Sequence, residues 1–157
     1  VGRIKERGFT LVELVCVVAL LGLIAMIAVP AVASVGSSRT LEIAARSLAM
    51  ELRRAQQKAI TTGSTQAIDL RIYSNDYRVR DLASGEAYTV KLAEGVTFRS
   101  VNFPVESGFP RVSFYRSGAP SRGGTIALNG PGGRVSYIIV TPATGRVRIS
   151  DQPPDNW

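Results

Sequence analysis

The side chain that most needs an explanation is the acid Glu13. It is the last charge before residues 14–33, twenty residues without a charged side chain, and at about 1.5 Å per helical residue such a run can cross the roughly 30 Å hydrocarbon core of a bilayer. An acid inside a membrane helix costs about 2.5–3.5 kcal/mol on insertion scales, so it is normally paired, held at the interface or kept for a purpose. A second concentration of charge lies near the other end. Arg111, Arg116, Arg122, Arg134, Arg146 and Arg148 fall between positions 111 and 149 with no Asp or Glu among them, a lopsidedness that makes a positive field of the kind that binds phosphate backbones through counterion release. The residues that are missing are as informative. With no histidine, the chain lacks the commonest general base and metal ligand and every Ser-His or Cys-His nucleophilic pair. The single cysteine, Cys16, lies inside the apolar run, so there is no internal disulfide and no cysteine pair for a metal. No catalytic residue, metal or cofactor is expected, and the chain reads as structural. A membrane-anchored enzyme or sensor, the rival from another class, would need a polar pocket that this sequence does not advertise.

These charges must be positioned by two kinds of element. Leu41, Ala44, Ala45, Leu48, Leu52, Ala55 and Ala59 recur at spacings of three and four, the stripe of an amphipathic helix. This second helical stretch continues the apolar one, with Gly36 as the flexible point between serines and Gly63 as its stop. From residue 65 the period changes to two. Short runs at 67–72, 77–79, 88–92, 96–101, 112–115, 125–128, 135–141 and 147–149 are separated by turn residues such as Ser74-Asn75-Asp76, Ala83-Ser84-Gly85 and Asn129 through Gly133, which predicts seven or eight antiparallel strands. Residues 103–110 read as a long connection. The fold class is α+β: a long N-terminal helix, half membrane and half amphipathic, packed on an antiparallel two-sheet β domain. About 125 residues follow the apolar segment, enough for one domain with its own core.

Three accounts of the N-terminus compete. A secretory signal peptide would use Arg3, Lys5 and Arg7 as its basic region and Ala31-Val32-Ala33 as its cleavage site, but its apolar core would be shorter and free of acids. A plain single-span anchor fits the length and leaves Glu13 unexplained. The third account rests on "KERG" followed by "FTLVEL", which resembles the class III signal of type IV pilins and type II secretion pseudopilins. The resemblance implies cleavage between Gly8 and Phe9 by a prepilin peptidase, N-methylation of Phe9, and Glu13 as the acid four residues past the new terminus. The amine created by cleavage offsets the cost of a buried carboxylate, and positions 9 and 13 share a helix face. The family pairs this acid with the amine of a neighbouring subunit, so Glu13 would serve assembly. Pro30 fits the same pattern, late in the apolar segment, where a helix can kink. The expected divisions are a leader at 1–8, a transmembrane and assembly helix at 9–33, an amphipathic extension at 34–63 and a β domain at 64–157.

Further along, "FYRSGAPSRGGTIAL" and "YIIVTPATGRVRI" resemble the C-terminal region of minor pilins of the general secretion protein H and FimT type. Such subunits sit at or near the tip of a pilus or pseudopilus and help to start it. The partners implied are the prepilin peptidase, other major and minor pilins or pseudopilins, the inner-membrane assembly platform and the cytoplasmic membrane, with the globular domain outside the cytoplasm. In the FimT-like branch the glycine-arginine element is associated with capture of double-stranded DNA during transformation, which makes Arg146, Arg148, Arg134, Arg122 and Arg116 candidate DNA contacts. Period two puts Arg146 and Arg148 on one strand face, and Tyr115 and Tyr137 offer stacking surfaces. The alternative is that these arginines protect an edge strand and pair with acids of neighbouring pilins. Net charge is +7, which does not choose between them. "NGPGGR" lacks the lysine of a phosphate-binding loop and reads as a hairpin turn. Asp69, Asp76, Asp81 and Glu86 have no calcium-loop spacing and read as solvated turn residues.

Overall fold

A computed structural model describes residues 10–154, the side chains of residues 27–38 excepted. Helix α1 (Leu11–Thr62) is followed by β1 (Gln66–Arg71), β2 (Asp76–Asp81), β3 (Ala87–Lys91), β4 (Thr97–Val101), β5 (Val105–Glu106), β6 (Phe109–Phe114), β7 (Gly124–Asn129), β8 (Val135–Val140) and β9 (Val147–Ser150). Short 3-10 turns occupy Ile72–Ser74 and Pro131–Gly133. The chain divides into two compact units, Val1–Gly36 and Ser37–Trp157.

In the first unit α1 opens on Thr10, whose hydroxyl accepts the Glu13 amide at 3.2 Å and so satisfies one of the amides that a helix start leaves unpaired. Every described side chain from 11 to 26 is exposed, including Leu11, Val12, Leu14, Leu20 and Leu23. A helix that is apolar on all sides has to be covered by something outside itself. Among the described residues no helix is long and apolar enough to cross a membrane. The described part of the apolar run, residues 14–26, covers only about 20 Å, and the side chains of residues 27–33 lie outside the description.

In the second unit the predicted stripe is the core. Leu41, Ala44, Ala45, Leu48, Leu52, Ala55 and Ala59, joined by Ala49, are all buried and meet the inner faces of two antiparallel sheets, ordered β3-β2-β1-β6-β5 and β4-β7-β8-β9. The first sheet contributes Ile68, Leu70, Tyr77, Val79, Val112 and Phe114, and the second Ile126, Leu128, Ile138, Val140 and Val147. Small alanines on the helix let both sheets approach closely. Asn75 links them: its carbonyl accepts the Leu92 amide at 3.0 Å and its side chain accepts the Phe98 amide at 3.3 Å. The helix ends at Gly63, whose φ of +66° is the left-handed cap that a side chain would strain.

The sequence reading misses in three places. Nine strands lie among the described residues, because Val105 and Glu106 pair with Pro110 and Phe109 inside the segment read as a connection. Ile72 belongs to a 3-10 turn rather than to β1. Three of the four acids read as solvated are buried. Asp69 and Asp76 lie in strands and pair with arginines, Asp69 with Arg111 and Arg80 and Asp76 with Arg71.

Asp81, the third, joins the end of β2 to the end of α1. Gln66 stands opposite it in register, the Ala83 and Ser84 amides donate to its carboxylate, and Lys58 approaches to 3.3 Å. Hydrogen bonding from Gln66 first, then from those amides and Lys58, outweighs burial and holds this carboxyl well below the usual carboxylate range. A depressed folded-state value means stability that is fully present above the unfolded pKa, near 4, and is lost as pH falls below it. Urea midpoints of the wild-type protein are therefore expected to fall between about pH 4 and pH 2, and Asp81→Asn should be less stable at neutral pH with a flatter acid limb. An unchanged acid limb in the variant would refute this assignment.

Candidate functional site

Glu13 sits in the first turn of α1 among exposed Leu11, Val12, Leu14 and Val17. Its carboxylate makes no ion pair among the described residues. A carboxylate without a partner on an apolar helix surface is costly in any low-dielectric surrounding unless a cation is supplied from beyond the described residues. Gly8 and Phe9 lie outside the described residues. Pro30 falls within α1, and its side chain lies outside the described ones.

The arginines separate into three groups. Arg111 leaves the basic face altogether: only 6% exposed, it donates from Nε to Asp69 at 2.6 Å and from Nη1 to Glu106 at 3.0 Å. Arg134 stands at the start of β8, while Arg146 lies opposite Thr141 at the other end of that strand, about 23 Å away at ~3.3 Å per residue. Arg134 lines a groove with Leu41, Glu42, Arg46, Ile149 and Asp151, where both signs of charge are present. It does not join the others.

The loops that carry Arg116, Arg122 and Arg146 interlock, and Arg148 stands two residues beyond Arg146 in β9. In the β6–β7 loop Tyr115 accepts Gly118 N–H on its carbonyl and donates its own amide to Ala119, which folds the loop back on itself. In the β8–β9 turn the Thr141 carbonyl accepts the Gly145 amide at 2.9 Å. A Cβ on Gly123 would meet Pro142 Cδ at 2.4 Å, and one on Gly145 would meet the Gly118 carbonyl at 2.9 Å, so the loops touch at two places. Arg116, Arg122 and Arg146 on these loops and Arg148 on the adjoining β9 are exposed, and their side chains make no ion pair or hydrogen bond among the described residues. Tyr115 beside them is half exposed, whereas the second proposed stacking residue, Tyr137, lies mid-strand in β8 and is only partly exposed. Val147 turns into the core between Arg146 and Arg148, and Ile149, on the same strand face as Val147 by period two, is 37% exposed at the sheet edge. That edge is partly closed: Arg53 Nη2 donates to the Val147 carbonyl at 2.8 Å.

Sequence reasoning missed Arg53 and also Gln56, which bridges the two loops. Both are polar residues beside the buried stripe of α1, and only the fold shows what they reach.

A family described as type II transport protein GspH matches residues 44–145, well over half of the chain. The chain belongs to the GspH family. The prokaryotic N-terminal methylation motif matches residues 3–29, so both ends of this GspH-family chain carry the marks of one class. No curated protein matches the sequence. Among solved structures, the minor pseudopilin EpsH of the Vibrio cholerae type 2 secretion system superposes with a TM-score of 0.56 at 15% identity, over 70% of this chain and 95% of that one. The type IV minor pilin FimU of Pseudomonas aeruginosa gives a TM-score of 0.57 at 19% identity, over 75% of this chain and 95% of its own. At such identities the likeness is one of fold: a helix on two antiparallel sheets. The chain thus joins a GspH domain of the type II transport proteins to an N-terminal methylation motif, on a fold shared with a minor pseudopilin and a minor pilin. Its family and neighbours are pilin subunits rather than enzymes.

Proposed function

We propose that this protein is made as a precursor, cut between Gly8 and Phe9 by a prepilin peptidase, methylated on Phe9, and assembled through its N-terminal helix into a pseudopilus or pilus. In this reading residues 1–8 are the leader and residues 9–33 hold the mature subunit in the cytoplasmic membrane. Residues 34–63 extend the helix into the β domain, 64–157, which lies outside the cytoplasm. The assembly platform lifts the subunit out of the bilayer, where Pro30 provides a point at which the helix can bend. The subunit acts at or near the tip, where it helps filaments start and supports protein secretion.

The observation that carries this reading is the Glu13 carboxylate, without an ion-pair partner among the described residues and set in the first turn of an exposed apolar helix that the methylation motif covers. Cleavage after Gly8 would supply the missing cation, the amine of Phe9 on a neighbouring subunit. The processing step is tested by the mass of the N-terminal peptide recovered from cells with and without prepilin peptidase. A peptide beginning at N-methyl-Phe9 only when the peptidase is present supports it, and an N-terminus that does not depend on the peptidase overturns it.

A second reading, a DNA-binding minor pilin for DNA uptake, is favoured by one observation: four exposed arginines, without an ion pair among the described residues, on two touching loops and the start of β9. Guanidinium groups with no internal acid are available to phosphates. Binding of labelled double-stranded DNA should weaken steeply as salt rises. Arg146→Gln combined with Arg148→Gln should lower that slope by about 1.8, at ~0.9 per lost phosphate contact. Equal binding by the double variant would return these arginines to contacts with neighbouring pilins.

A further inference from the structure

We infer that Gln56 of α1 is a positioning residue that locks the two arginine loops into one polyanion-binding face; the inference rests on the DNA-binding reading given above. The Gln56 side-chain amide sits between the loops. Its Nε2 donates one hydrogen to the Gly118 carbonyl at 2.8 Å and the other to the Thr144 carbonyl at 3.1 Å. Gly118 is two residues from Arg116, and Thr144 is two residues from Arg146. One amide nitrogen on a helix therefore fixes the backbone beside an arginine in each loop, and no backbone hydrogen bond between the two loops duplicates it.

The surroundings are shaped to this amide. A Cβ on Gly145 would lie 2.4 Å from Gln56 Nε2, and one on Gly118 would lie 2.7 Å from Ile60 Cδ1, so both loops come down onto the helix only because these positions carry no side chain. Both glycines hold positive φ, +79° at Gly118 and +65° at Gly145, which a side chain would strain in addition. A shorter residue than glutamine would not span from the helix to both carbonyls.

The consequence for binding follows from counterion release. Arginines on one rigid face can neutralise phosphates of the same duplex together, and the number of phosphates neutralised sets the salt slope. With the amide gone, two carbonyls lose their donor, the loops move independently, and Arg116 and Arg122 lose their register with Arg146. Gln56 touches no ligand itself. Its effect would pass through the backbone of residues 118 and 144.

The test uses the full-length protein in nanodiscs of neutral phosphatidylcholine and a labelled mixed-sequence duplex titrated over a salt series. Gln56→Met keeps the side-chain volume and removes the donor. The salt slope is expected to fall by about 1.8, the loss of roughly two phosphate contacts, and amide hydrogen exchange should rise in residues 115–123 and 141–146 together. Arg116→Gln with Arg122→Gln should give a similar fall alone and little further loss when combined with Gln56→Met, the non-additivity expected of groups that act as a unit. If the wild type binds with a steep slope that Gln56→Met leaves unchanged, the positioning role is wrong and the DNA reading stands. If the wild type does not bind the duplex even at low salt, the DNA reading falls and this inference falls with it.

Discussion

Asp69→Ala is expected to be the most damaging single substitution on the exposed side of the first sheet, lowering the stability of residues 38–157 by about 3 kcal/mol in urea unfolding. Asp69 and Arg111 are both nearly buried, at 3% and 6% exposure. Asp69 receives Arg111 Nε at 2.6 Å and has Arg80 at 3.6 Å on its other oxygen. Removing the carboxylate strands the Arg111 guanidinium, which already has one buried nitrogen without a partner, and an uncompensated buried charge costs roughly 3–5 kcal/mol. Glu106 remains within 3.0 Å of Nη1 and keeps the loss at the lower end. The double substitution Asp69→Leu with Arg111→Met removes both charges and should recover most of the stability, since replacing a whole buried pair by apolar groups is often neutral or better. Were the double variant as unstable as Asp69→Ala, the damage would lie in packing rather than in the stranded charge.

Much of this architecture is legible from pattern alone. The helix stripe is readable because seven apolar residues repeat at three and four, and each of them is buried. The strands are readable because period two is punctuated by glycine, asparagine and serine, and positive φ at Asn75, Gly85, Gly118 and Gly145 marks the turns where those residues stand. β5 is not readable, since two residues between Pro104 and the Ser107-Gly108 turn establish no period. The buried acids mislead for a related reason. Asp69 alternates correctly for an outward-facing position, and its burial comes from Arg111, a neighbour 42 positions away.

The candidate site divides in the same way. An acid-free run of arginines can be counted in a sequence, but the count gives no distances. It groups Arg111 and Arg134 with the others, although one is consumed by Asp69 and the other stands at the far end of β8. The loops meet because Gly123 and Gly145 leave room for Pro142 and Gln56, a contact between segments that no local pattern encodes. Glu13 is different. Its oddity is entirely local, one acid at the head of an uncharged run, and it has no ion-pair partner among the described residues.

That lone carboxylate makes Glu13→Ala the most direct test. Removing it takes away a costly charge, so insertion by residues 9–33 should be as good as wild type or better. On the proposed reading the amine of the neighbouring Phe9 then loses its partner as the subunit docks, and a charge pair buried in an apolar filament core and worth about 1.4 kcal/mol or more corresponds to a fall in incorporation of about tenfold or more. The measurement is the ratio of protein in sheared filaments to protein in the membrane fraction, for wild type and Glu13→Ala expressed at equal levels. A normal membrane fraction with a filament fraction down tenfold or more is the predicted result. A filament fraction equal to wild type would contradict the account, and Glu13 would then have no part in assembly.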